Sequence, residues 1–398
     1  MTHAGLKVTD TALIDYSLLY PNANDVQLSV DVAFTASGLS PNQSSVVGYF
    51  GRGVGQGMPA VLEATYLALL NAPDVATLGA IADQLYSQAG GVAAFAGMQS
   101  GEALALSMRS CPVAEGPYGQ LRETSCVWAK PTARRFSQDR DTDTADIRNT
   151  TAGISGGFQA AVAENTWAGL GVSLENSESE INTTTKTDGS WWQIGGATKW
   201  TSGPWKLSSS ISGGQGDLDT RRGIDIPGVN VVAVSGTDVG LVKGLTRLAY
   251  SFGATGFYVT PMVDAGFTYV DLDGYTERGA GALNLIVSSS DQWIASAGAA
   301  VEIGSTITNE TMTYRPYMKA GVAFLSEDSF QTSARFAGTP ADVAAFKINS
   351  HFDDVYAELS AGIQMFGGQG LNLRLNYDGR YGENSEQHGI DAKLTVNY

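Results

Sequence analysis

The sequence predicts an all-β transmembrane fold: a closed antiparallel outer-membrane β-barrel of twelve strands, preceded by an N-terminal α-helical segment. Three observations predict it. The chain ends in I-D-A-K-L-T-V-N-Y, with Ile390, Ala392, Leu394, Val396 and Tyr398 on one face and Asp391, Lys393, Thr395 and Asn397 on the other. Similar period-2 segments recur from Cys126 onward. The links between them alternate between short and long. In a membrane barrel the apolar face meets lipid and the polar face a wet lumen. A soluble edge strand can alternate too, so the recurrence carries the weight.

The 398 residues suffice for two or three domains. Forty-eight glycines, 16% charged residues and a net charge of −16 suit many strands and turns and argue against nucleic-acid binding. No run reaches about 18 apolar residues, so no transmembrane helix is expected, which leaves a barrel open. No secretory signal follows Met1, so an exported form would be missing its natural amino-terminus. Cys111 and Cys126 flank the Pro/Gly-bearing stretch 112–119. In the cytosol they would be two unpaired thiols; in an oxidising compartment they would close a loop as a disulfide. His3, His351 and His388 lack zinc-ligand spacing, and no fixed calcium spacing appears. No cofactor is expected.

Residues 1 to about 50 carry β-like runs, with Val26, Leu28, Val30, Val32 and Phe34 on one face. The stretch 38–43 (G-L-S-P-N-Q) reads as a turn followed by a helix start. Glycines at 51, 53, 55 and 57 precede a helix but lack the Lys-Ser/Thr ending of a phosphate loop, and read as a hinge. Residues 57–110 are Ala/Leu-rich. Pro59 suits a first turn, and Val61, Leu62, Tyr66, Leu69 and Leu70 recur at helical spacing. Asn71-Ala72-Pro73 breaks that helix and 74–86 makes a second. Residues 90–110 make a third, slim helix whose only charges are Glu102 and Arg109. Such a helix fits a narrow pore or packs in a helical domain.

Twelve strands follow, at 126–137, 147–163, 167–177, 188–201, 205–215, 235–252, 257–271, 281–303, 311–326, 344–366, 370–379 and 389–398. Alternation is clearest in the fifth, from Trp205 through Leu207 to Ile211, and in the seventh, from Val259 through Val263 to Tyr269. It is equally clear from Trp293 to Ile303, Pro316 to Phe324, Val355 to Met365 and Leu371 to Tyr377. Opposite faces carry Asp264, Glu302, Lys319, Glu358 and Arg374. The short links are 164–166, 202–204, 253–256, 304–310 and 367–369. The long ones are 138–146, 178–187, 216–234, 272–280, 327–343 and 380–388. Segregation of loop length by rim is how bacterial membrane barrels are built.

Gly153-Ile154-Ser155-Gly156-Gly157 matches G-x-S-x-G, but a nucleophile elbow needs a helix after Ser155, and here the pattern continues as a strand. The glycines read instead as room inside a barrel.

With these features in place, the sequence resembles the translocator end of an autotransporter, the type V secretion family, over nearly its whole length. The resemblance rests on Y-P-N-A-N-D-V-Q-L at 20–28 and L-S-P-N-Q at 39–43. It continues with C-V-W-A at 126–129, Pro261 to Tyr269 followed by Y-T-E-R-G-A at 275–280, Arg315-Pro316-Tyr317, and 373–377, in this order and spacing. It implies a passenger remnant at 1–50, a helical linker at 51–125 with a pore helix near 90–110, and a twelve-stranded translocator barrel at 126–398. The pore helix would present Gly91, Ala94, Gly97, Gly101, Glu102 and Arg109. Lumen-facing Asp264, Glu302, Lys319, Glu358, Arg374 and Lys393 would surround it, with Asp391 also facing the helix. Cys111 and Cys126 would clip the linker before the first strand. Leu394, Val396 and Tyr398 would form the C-terminal assembly signal.

The implied role is export and surface anchoring of the chain's own passenger, as a monomer in a Gram-negative outer membrane, without nucleotide or catalytic residues. The implied partners are outer-membrane lipid, the barrel-assembly machinery and periplasmic chaperones. The chain departs from the family in ending on Tyr398, where members more often end in Phe or Trp, and in lacking a paired-Asn linker. The alternatives are a barrel hydrolase using His351 and His388 near the long-loop rim, an open porin-like channel, or a soluble adhesin.

Overall fold

The computed structural model describes residues 7–22, 24–57, 59–115, 120–141, 143–254 and 256–398. His3 and residues 116–119 of the inter-cysteine stretch lie outside them. Among the described residues, twelve long strands form the barrel: β1 (Cys126–Gln138), β2 (Ile147–Ala163), β3 (Thr166–Ile181), β4 (Thr185–Ser202), β5 (Trp205–Ile226), β6 (Val229–Tyr250), β7 (Phe257–Leu272), β8 (Ser290–Ser305), β9 (Thr313–Leu325), β10 (Val355–Phe366), β11 (Leu371–Tyr381) and β12 (Ser385–Asn397). Each pairs antiparallel with the next, and β12 pairs back onto β1, with Ile390 opposite Ala133 and Val396 opposite Val127. Closure leaves no long edge, which a bilayer requires because it offers backbone groups no water.

The apolar face of each strand points outward. Ile211, Val263, Trp293, Met318, Leu359 and Ile390 are all exposed. Across twelve strands this is a continuous apolar belt, which a soluble surface rarely carries and a lipid-facing one must. The short-turn rim bears Trp205, Tyr250, Phe252 and Phe257, the amphipathic aromatics expected at a headgroup layer. Its turns are tight: Asn165 and Gly203 take positive φ (57° and 56°).

The opposite rim differs from expectation. Two stretches read as loops, 178–187 and 216–234, are mostly strand: β3 and β4 meet at Asn182 and Thr183, both at positive φ, and β5 and β6 meet at Pro227-Gly228. β5 and β6 are 22 residues each, where about 9–11 cross a bilayer. Their upper halves therefore stand clear of it. Outward Asp217, Asp219 and Arg221 gave the stretch its loop-like polarity. The inward Leu218, Thr220, Arg222, Ile224 and Ile226 are buried. Likewise β11 and β12 run to Tyr381 and from Ser385, which shortens the expected 380–388 loop.

The expected strands 281–303 and 344–366 are each two pieces. Their upper pieces, Leu285–Val287 and Phe346–His351, join Tyr275–Thr276 and Ser329–Phe336 in a four-stranded rim sheet. Ser329–Phe336 lies in what read as a loop.

The N-terminal residues form a hairpin (Ile14–Asn22 with Asp25–Val32) and three helices, α1 (Pro41–Gly55), α2 (Glu63–Leu70) and α3 (Val75–Ala82). α1 starts with a capping box between Ser40 and Gln43 and occupies the end of the stretch expected to be β-rich. The expected hinge at Gly51 is inside α1. A side chain there would meet Phe34, which follows the hairpin, with Cβ only 2.5 Å from the Phe34 Cβ, so glycine permits the contact. These helices cap the long-loop rim. Val46, Tyr49, Phe50, Leu62, Leu69 and Leu78 share one core with Ile224 and Ile226 of β5 and with Leu285, Phe336 and Phe346 of the rim sheet. Beneath this core Arg222 makes a bidentate pair with Glu277 (3.0 and 2.6 Å), both fully buried, and also donates to the Gln84 carbonyl. A buried pair of this kind needs all its hydrogen bonds, and they tie long hairpin, rim sheet and cap together.

Candidate functional site

The lumen is occupied by α4 (Ala89–Ser107). At 1.5 Å per residue its 19 residues span about 28 Å, close to the hydrocarbon thickness of a bilayer. Its N-terminal end lies at the long-loop rim, where Phe95 stacks on Phe352 (centroids 4.3 Å) and packs against Phe136. Just before it, Gln88 donates to the carbonyls of Asp143 (2.9 Å) and Asn349 (2.7 Å). Asn42 of α1 donates to the same two carbonyls, at 2.7 and 2.8 Å. The C-terminal end reaches the short-turn rim, where Lys393 Nζ donates to the Ser107 and Ser110 carbonyls (2.7 and 2.8 Å). A cation there satisfies terminal carbonyls and the negative end of the helix dipole.

α4 sits off-centre, against β3 to β7. A Cβ on Gly97 would lie 2.8 Å from the Trp191 ring, and one on Gly101 3.0 Å from Leu241. Gly91 packs on Ser350 and Ala94 is buried beside it. The wall answers with its own glycines: Gly216 makes room for Trp191, and Gly171 and Gly195 for Met108. Below Gly97, Ser100 donates to Glu175, Gln193 donates to Ser100 (2.5 Å), and Arg134 holds Glu175 through two bonds (3.0 and 2.7 Å). Gly153–Gly157 lies wholly within β2, with Ser155 buried and facing inward and no helix behind it; the strand rules out a nucleophile elbow.

The other side of α4 faces a cavity of about 140 Å³ into whose partly apolar lining Glu102, Lys130, Asp264, Lys319, Glu358 and Arg380 bring charge. Arg380 bridges Glu102 of the helix (3.0 and 3.2 Å) to Glu358 (2.8 Å), and Lys319 adds a looser contact to Glu358 (3.8 Å). Arg109 lies 3.5 Å from Asp264, which Arg247 also grips.

Of the residues assigned to the lumen from sequence, Asp264 and Lys393 reach the helix segment itself. Glu358 meets it through Arg380, and Lys319 only at one remove, through Glu358. Arg374 stacks on Tyr317 and donates to its hydroxyl (2.8 Å), and Glu302 accepts from Tyr258 (3.0 Å), so both stay on the wall. Asp391 faces inward but turns to Lys130 (3.5 Å), away from the helix. The bridging Arg380 was not singled out because it fell in an expected loop. Extending the inward series Arg374, Asn376, Asp378 by one period would have found it.

Cys111 and Cys126 are disulfide-bonded, with Cα atoms 6.0 Å apart. Beside them Glu123, itself buried, accepts from the Cys111 amide (2.9 Å), Ser110 (2.7 Å), Lys199 (3.2 Å) and Lys206. Sequence reading missed this cluster, since its members lie on three elements. Leu394, Val396 and Tyr398 are exposed on the outer face at the same rim. The two rim histidines do not converge: His351 pairs with Asp143 (3.3 Å) on the rim sheet, whereas His388 bonds Tyr377 (2.7 Å) on the outer wall. Among the described residues no group of three or more His, Cys, Asp or Glu could hold a metal ion.

This architecture is matched by known proteins. The translocator domain of the autotransporter NalP from Neisseria meningitidis aligns at a TM-score of 0.59 and 15% identity, over 79% of this chain and 99% of that one. The β-domain of the Bordetella autotransporter BrkA aligns at 0.51 and 14%, over 69% and 100%. No curated protein sequence matches the chain. The autotransporter β-domain family profile matches residues 127–378, from the first barrel strand into the eleventh. The chain therefore belongs to the autotransporter β-domain family.

Proposed function

We propose that the chain is the outer-membrane translocator of its own N-terminal passenger, caught in the state that follows export. The barrel is a translocator of the autotransporter family, and its role is passage and anchoring. The finer reading divides the chain as follows. Residues 1–50 are the exported end, standing with the first helices of the linker at the cell surface on the long-loop rim. Residues 51–125 link it to the barrel through the pore, and residues 126–398 are the anchor. The observation that carries this reading is the path of α4. It enters at a rim covered by a folded cap and leaves at the rim where β1 begins, so the polypeptide crosses the barrel once through its lumen. A filled lumen also disfavours a wide open porin.

On the same reading the chain is a monomer. The amphipathic β12, with Leu394, Val396 and Tyr398 outward, is what the barrel-assembly machinery reads after periplasmic chaperones deliver the chain. The Cys111–Cys126 disulfide closes the linker in an oxidising periplasm. Val61, 71% exposed on the cap, gives the test. In intact cells a Val61→Cys variant is expected to react with a membrane-impermeant maleimide as fast as it does after permeabilisation. Labelling only after permeabilisation would place the cap on the periplasmic side and sink the reading.

A further inference from the structure

The outer wall of the barrel is electrically divided above its apolar belt. On β4 to β8 the outward positions carry Asp188, Asp217, Asp219, Asp271 and Asp291, with Lys186 and Arg221 facing each other as the basic exceptions. At the seam where β12, β1 and β2 meet they carry Arg135, Arg148 and His388. Arg135 stands directly opposite His388 on one side and Thr150 on the other, and Arg148 stands opposite Ser137, the next outward position on β1. Direct cross-strand neighbours have Cβ atoms about 5 Å apart and diagonal ones about 7–8 Å, a spacing that two guanidinium groups can close on one anion.

Both arginines are exposed, and among the described residues neither forms an ion pair with a carboxylate. Three carboxylates sit nearby: Glu178 stands across Thr150 from Arg135, and the other two are engaged elsewhere. Glu180 stands across from Arg148 but pairs with Lys186 (3.7 Å), and Glu386 pairs with His388 (3.5 Å). The His388 ring is fixed by the Tyr377 hydroxyl and by its contact with the Tyr381 ring. One outward position below lie Ala133 and Ile390, where the apolar belt begins.

We infer that Arg135 and Arg148, flanked by His388 and Tyr377, form a binding site for the phosphate of a lipid headgroup in the outer leaflet. The inference rests on the outer-membrane reading above. Arginine forks take phosphate oxygens bidentately. Their position at the top of the belt is where a headgroup phosphate lies, and a free anion would have no acyl chain to lodge against Ala133 and Ile390.

The test uses the full chain folded in mixed micelles, with phosphatidic acid and phosphatidylcholine as probes and bound lipid read by native mass spectrometry. Wild type is expected to retain phosphatidic acid over phosphatidylcholine. Arg135→Gln and Arg148→Gln are each expected to lower that retention about fivefold, the effect of one basic residue at a lipid surface. Arg221→Gln, on the outward face of β5, is expected to leave it unchanged. Equal retention in the seam variants, or an equal loss in the β5 variant, would overturn the site. Displacement by equimolar inorganic phosphate would show a free-anion site and overturn the lipid assignment. Heat-modifiable gel migration of every variant separates these outcomes from a failure of the barrel itself.

Discussion

The two sides of α4 are held by different physics. Toward β3 to β6 the contact is dry: helix glycines and wall glycines bring Trp191, Leu241 and Met108 to within a methyl group of the backbone. Toward β8 to β12 it is wet: Arg380, Glu102, Glu358 and Lys319 face a cavity of about 140 Å³. Close packing fixes position because each lost methylene is felt. Charges in a wet lumen fix less, because water replaces a lost partner. The difference teaches that the dry wall sets where the helix sits, while the wet wall leaves a path beside it.

The largest effect should come from Trp191→Ala. Trp191 is 3% exposed and fills the recess between Gly97 and Gly216. Its loss should cost about 3–5 kcal/mol, seen as a lower temperature for the heat-modifiable gel shift and higher conductance in planar bilayers. An unchanged conductance would show that the dry wall does not seat the helix. Gly97→Leu should be next, at about 1–3 kcal/mol from overpacking against the indole. Combined with Trp191→Ala it should restore part of the lost stability, a coupling that a double-mutant cycle measures. Strict additivity would break the picture of a shared recess. Arg380→Ala should be smallest, about 1 kcal/mol, because water in the cavity solvates the stranded Glu102 and Glu358. Raising salt to 1 M shortens the screening length from about 10 to 3 Å. It should mimic the Arg380 change and leave the Trp191 effect untouched; a salt-sensitive Trp191 effect would erase the distinction.

The barrel was legible because lipid imposes a period of two on every strand it touches. Val259 to Tyr269 and Trp293 to Ile303 show it without help from any partner. Above the membrane the alternation persists, but its outward side is polar. Residues 216–226 alternate as regularly, but their outward side is Asp217, Asp219, Arg221 and Asp225. The cover on Ile224 and Ile226 comes from helices some 150 residues earlier in the chain, so the stretch read as loop. The slim helix was legible from its glycines. Its partners were not, since the Glu102–Arg380 contact joins residues 278 apart and no local pattern encodes such a pairing. The cap was read as separate helices because amphipathic segments show that a face is buried and not what buries it.

The paired amides of Asn42 and Gln88, on the same two carbonyls, have a mechanical consequence. The span from Gln88 to Cys111 is fastened above by hydrogen bonds that also anchor α1, and below by a covalent bond to the first strand of the barrel. A rod fastened at both ends can bend but cannot slide. Freed at the bottom, it would still hang from the cap; freed at the top, it would become a piston on a tether.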